Sequence, residues 1–289
     1  MTRKLAQQVV IAGTALALLI ASLLPAVATQ TPSGFHWGRK PSQFTLKIGD
    51  NVDGGWNSRL AKAVADWNGN DTITLREVAG SSNPQTCPKQ TGMVQVCNWN
   101  YGTQEGWLGL TRLFFDDRGD HVEAATVQMN DSYFNGNGQY NDEGARRHTI
   151  CHELGHALGL DHVNTNSCMN DSQSAVFNNV KPTNKDFQLL ARIYKHADST
   201  TTVDGNQKSR KDKDRKKKQK NDRDGKKKAR KNRDRDNRDS QRNNRDRAAA
   251  ESFFDPSSLP DESVSVQRLE DGSTVVTFIT WADEPSAGE

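Results

Sequence analysis

The stretch from His152 to His162, His-Glu-Leu-Gly-His-Ala-Leu-Gly-Leu-Asp-His, constrains this chain more than any other. Residues four apart on a helix share a face, about 6 Å apart along the axis. His152 and His156 therefore present two imidazoles in one direction, with Glu153 beside the first. A straight helix would carry His162 away from them. Gly159 removes that obstacle, because glycine enters the left-handed conformation that ends a helix and turns the chain. Three imidazoles meeting at one point form a ligand set for zinc, each about 2 Å from the ion, and they leave a fourth position open for water, as in catalytic rather than structural sites. A bare His-Glu-x-x-His is a weak signal; Gly159 and His162 at these offsets make it specific.

The motif falls on an expected helix. Residues 141–160 have the pattern of one, with Asn141 or Asp142 as cap and acids in the first turn. Upstream, 44–48 alternates as a half-buried strand does. Trp56, Leu60, Ala63, Val64 and Trp67 fall at helical spacing. Strands are expected at 72–78, 93–99, 108–115 and 122–129, and a closing helix at 182–194 capped by Thr183. Strand, helix and strand in succession call for a parallel crossover. The fold class expected is α+β, a mixed twisted sheet with an active-site helix and a C-terminal helix.

Composition divides the chain. Residues 1–28 read as an export signal, with Arg3 and Lys4 ahead of an apolar run and Ala26 and Ala28 in the spacing that a signal peptidase reads. An uncleaved anchor is the alternative, since the run approaches the length that spans a bilayer. Residues 29–200 read as one globular domain. From 208 to 247 there are 21 Lys and Arg against 8 Asp and no aromatic residue, so 201–247 is expected as a disordered basic linker. The acidic tail 248–289 carries a hairpin signal, two alternating stretches around Glu270-Asp271-Gly272. A lone hairpin is marginal in water, so it docks on the domain, binds a partner or is only partly ordered. Four cysteines in an exported chain suggest two disulfides. Proximity favours Cys87 with Cys97 and Cys151 with Cys168, although three pairings are open.

The pattern His-Glu-x-x-His-x-x-Gly-x-x-His followed by a methionine in a turn resembles the metzincin zinc proteases. Met169, seven residues beyond His162, resembles their Met-turn, and the strand-turn-strand before the helix resembles the matrixins in particular. The likeness covers most of 40–195. It implies one catalytic Zn2+ and peptide or protein substrates extended along an edge strand, for which 108–115 is the candidate. The wall of the pocket would come from 170–180. There are departures. Two residues after Met169 stands Asp171 rather than the tyrosine of astacins and serralysins. The short stretch between Ala28 and the first strand leaves no room for a zinc-capping propeptide cysteine. A cysteine just before the first ligand, stapled to one in the Met-turn, is expected in bacterial matrixin-like relatives.

The function expected is a secreted zinc endopeptidase in which Glu153 serves as general base. Structural Ca2+ has no support in the sequence, and a monomer is expected. His148 lies one turn before His152, too far along the helix for all three to reach one ion. It reads as a neighbour of the site or a surface residue. His36 and His121 lack ligand spacing and read as structural; His196 suits the end of the last helix. The basic run is a solvated linker or an attachment to anionic polymer or cell surface, without sequence-specific nucleic-acid binding. The rival function is a secreted adhesion module that binds polyanions and keeps a structural metal; Glu153 beside an open three-His site argues against it.

Overall fold

The computed structural model describes residues 35–40, 43–116, 119, 121–203 and 263–282. The expected export signal and basic run lie outside them. Seven strands form one mixed sheet: β1 Phe44–Asn51, β2 Ile73–Ala79, β3 Met93–Trp99, β4 Trp107–Phe115, β5 Val122–Asn130, β6 Val264–Arg268 and β7 Thr274–Trp281. Their order is β2-β1-β3-β5-β4-β7-β6. The first four in that order run parallel; β4, β7 and β6 continue the sheet as antiparallel neighbours.

Helix α1, Asn57–Trp67, supplies the crossover that lets β1 and β2 run parallel. It buries Leu60, Ala63, Val64 and Trp67, the stripe its spacing requires, and Trp56 closes a short 3-10 turn before it. Two four-residue helices not evident in the sequence follow, α2 at Asp131–Phe134 and α4 at Gln173–Val176. Helix α5, Asn184–Ile193, opens on a reciprocal Thr183–Asp186 capping box.

The central helix, α3, runs from Glu143 to Ala157. Asp142 is its cap, its carboxylate accepting the Ala145 amide at 3.0 Å. Every residue from His148 to Ala157 is buried, so the chemistry sits on a core helix rather than an amphipathic surface one. Two indoles hold it: Trp67 Nε1 donates to the Cys151 carbonyl at 3.0 Å and Trp37 Nε1 to the Ala157 carbonyl at 2.8 Å. No helix among the described residues is long and apolar enough to cross a membrane.

One expectation does not hold. Residues 108–115 were to form an exposed edge, yet β4 is an inner strand, with β5 on one side and β7 on the other. The physical reason lies in the hairpin. Its inward residues Val264, Val276 and Phe278 are buried, which a free hairpin could not achieve, and β4 offers an open row of backbone donors and acceptors that β7 satisfies.

Candidate metal centre

The imidazoles of His152 and His156 leave α3 on one face, and their Nε2 atoms lie 2.8 Å apart. Helix α3 stops at Leu158, and Gly159 adopts φ +96°. A side chain there would also collide with the Phe35 carbonyl. The chain turns back and brings His162 Nε2 to 3.1 Å from His156 Nε2. The three histidines the sequence singled out are thus gathered at one point.

The opposite ring nitrogens are all engaged. His152 Nδ1 faces the Cys168 carbonyl at 2.7 Å, His156 Nδ1 the Leu160 carbonyl at 2.9 Å, and His162 Nδ1 the Asp171 carboxylate at 3.3 Å. A carbonyl oxygen can only accept, so the protons of His152 and His156 sit on Nδ1. Burial holds both imidazoles neutral, pushing their pKa values well down. Their Nε2 lone pairs then point at one another, an arrangement that repels unless a cation lies between them. The donor set fits Zn2+ in number and type, and the residues around it fix each ring.

Glu153 is fully buried, and its surroundings are specific. Thr111 of β4 donates to Oε2 at 2.6 Å, and Thr280 of β7 to Oε1 at 2.5 Å. Burial raises its pKa to about 7, and the two hydroxyls oppose that rise. A cation at the imidazoles would oppose it further. Close packing requires Gly109, where a Cβ would stand 2.5 Å from Oε1.

Beneath the histidines, the turn carrying Met169 is joined to α3 by the Cys151–Cys168 disulfide. Met169 is fully buried, packed so closely on Gly155 that no side chain fits between them. The Met169 amide donates to Ser167 Oγ at 3.0 Å, and the Val163 amide donates to the Met169 carbonyl at 2.9 Å. The second disulfide joins Cys87 to Cys97, far from the histidines in sequence.

His148 stacks on His152 with ring centroids 5.5 Å apart and gives its Nδ1 proton to the Asn179 carbonyl at 2.8 Å; it stays outside the cluster. Three residues of the site escaped the sequence reading. Asp171 drew notice only as a missing tyrosine, yet it faces a histidine of the cluster. Thr280 and Phe278, which stacks on His156 with centroids 4.2 Å apart, arrive from more than 120 residues away. No local pattern could have pointed to them. His36, His121 and His196, read separately as structural or dipole-related, meet around Asp198.

No family model and no curated protein matches this chain. Among solved structures it is similar to myroilysin, at 15% identity over 56% of this chain and 96% of that one, with a TM-score of 0.33. It is also similar to archaemetzincin from Archaeoglobus fulgidus complexed with malonate, at 14% identity over 51% of this chain and 99% of that one, TM-score 0.29.

Proposed function

We propose that this chain is a secreted zinc endopeptidase of the metzincin type, matrixin-like in its strand-turn-strand, with the ion held by His152, His156 and His162. The observation that carries this reading is the convergence of three Nε2 atoms whose partner nitrogens are already committed. The export signal in the sequence and the two disulfides support an oxidising compartment.

A zinc ion held by His152, His156 and His162 would supply Lewis acidity and would lower the pKa of a water to about 7. Glu153, adjacent to His152, takes a proton from the attacking water and hands it to the leaving amine. Burial raises its pKa and a cation beside it would lower it again; a general base works best when such opposing effects leave it near the working pH. Thr111 orients the carboxylate through Oε2. Gly159 turns the chain toward His162, Asp171 holds that ring, and Met169 gives the cluster a rigid floor. The basic run 208–247 would tether the enzyme to an anionic polymer, which retention on heparin resin tests.

The decisive experiment pairs zinc analysis with cleavage of casein peptides. Glu153→Ala should keep all its zinc and lose at least about 10²-fold in rate; His156→Ala should lose one equivalent of zinc and the activity together. Rates unchanged by Glu153→Ala would end the reading.

A further inference from the structure

Resting on the peptidase reading above, we infer that β7 is a tethered occupant of the substrate cleft, which holds the enzyme latent and displays the kind of strand the cleft accepts. A peptide bond can be cut here only if an extended chain lies against β4 with its carbonyl near the three imidazoles. That position is taken. β7 pairs antiparallel with β4 from Val275 opposite Phe114 to Trp281 opposite Trp107. Its far side is held as well, since Gln173 of α4 donates to the Trp281 carbonyl at 3.2 Å, within the segment expected to wall the pocket.

The contacts reach the chemistry itself. Phe278, opposite Thr111, lies flat on His156, with 13° between the rings. Thr280, opposite Gly109, bonds the Glu153 oxygen that Thr111 leaves free. With a hydroxyl on each carboxylate oxygen, a water that approaches Glu153 has to compete with Thr280 for Oε1. The residues that face α3 alternate as Val276, Phe278 and Thr280, all buried. Segment 204–262 joins this strand covalently to the rest of the chain, so its occupancy is intramolecular and resists dilution. The cleft therefore accepts an extended apolar strand with β-branched or aromatic residues at alternate positions, and substrate must displace β7 to enter.

Three preparations of the full-length chain test this: wild type, Phe278→Asp and Glu153→Ala, each assayed on a casein peptide with zinc content measured. A synthetic peptide covering 263–282 is then added to Phe278→Asp. Release predicts a rate at least tenfold above wild type, reversed by the peptide. Equal rates in wild type and Phe278→Asp, with the peptide inert, overturn the latency and leave the peptidase intact. Zinc-loaded proteins in which none outpaces Glu153→Ala end both. Thr280→Val, isosteric and without the hydroxyl, guards against a misfolded Phe278→Asp: it too should raise the rate, and a rate equal to wild type from both folded variants overturns the latency.

A separate observation points to a second metal site. His36 Nε2, His196 Nε2 and Asp198 Oδ1 lie 3.1 to 3.5 Å from one another. Ligand atoms about 2.0–2.1 Å from a tetrahedral zinc stand about 3.3–3.4 Å apart, so the three form one face of such a site. His121 Nε2, 3.2 Å from the same oxygen, neighbours the fourth corner. The other Asp198 oxygen accepts the Arg39 amide at 2.9 Å, which fixes the carboxylate. An ion there would clamp the segment before β1, the β4–β5 turn and the chain after α5. After dialysis, wild type should bind two equivalents of Zn2+, and His36→Ala/His196→Ala one, as should His156→Ala. One equivalent in wild type, or two in a folded double variant, overturns this site.

Discussion

At the level of single residues, what surrounds an imidazole decides its use. His148 and His152 share a face of α3 and stack on each other, yet only His152 turns Nε2 toward His156. His148 gives one proton to Asn179, and its Nε2 has no hydrogen-bond partner among the described residues. Burial lowers its pKa from 6.5 to about 4. The unfolded chain thus takes up the proton first as pH falls, and the stabilisation present above 6.5 is lost toward 4. Between pH 7 and 4.5 wild type should lose about 2–3 kcal/mol more than His148→Asn, measured by urea unfolding. Asp171 acts through His162: Asp171→Ala should weaken zinc binding by about 10–100-fold in chelator competition.

At the level of elements, α3 depends on its ends and its staple. Gly159→Ala would force a side chain into a positive-φ position and against the Phe35 carbonyl. The backbone cost alone is about 1–2 kcal/mol, read as a lower urea midpoint, and zinc affinity should fall with it as His162 shifts. Reducing the Cys151–Cys168 bridge, or replacing both cysteines by serine, frees a loop of 17 residues. The expected loss is about 3 kcal/mol, again by urea unfolding. The β4–β5 ladder shows why α3 fits so closely. The single hydroxyl proton of Thr111 on β4 is shared between the Glu153 carboxylate at 2.6 Å and its carbonyl at 2.9 Å, tying helix to sheet at that residue.

For the whole molecule, metal and sheet stability are linked. The ion would join α3 to the loop beyond it and remove the repulsion between the Nε2 lone pairs of His152 and His156. Zinc at a thousandfold excess over Kd adds about 4 kcal/mol. For a domain of this size that is a Tm fall of roughly 8–16 °C on adding EDTA, seen by calorimetry and smaller in His156→Ala. The sheet itself is completed from the C-terminal end, where β6 and β7 cover what would otherwise be an open edge.

The site's inner ring was legible because its constraints are local. The four-residue spacing, the glycine that ends the helix and the methionine beyond it are bonded within eighteen residues, from His152 to Met169, and helical geometry converts spacing into direction. The strands at Met93–Trp99 and Val122–Asn130 were legible for the same reason, as apolar runs of strand length. Tertiary structure alone decided the rest. Which edge of the sheet β7 joins, that Thr280 reaches Glu153, and that His36, His121 and His196 gather at Asp198 depend on contacts across 75 to more than 150 residues. Such contacts follow from which buried surfaces fit together, and no periodicity along the chain records that.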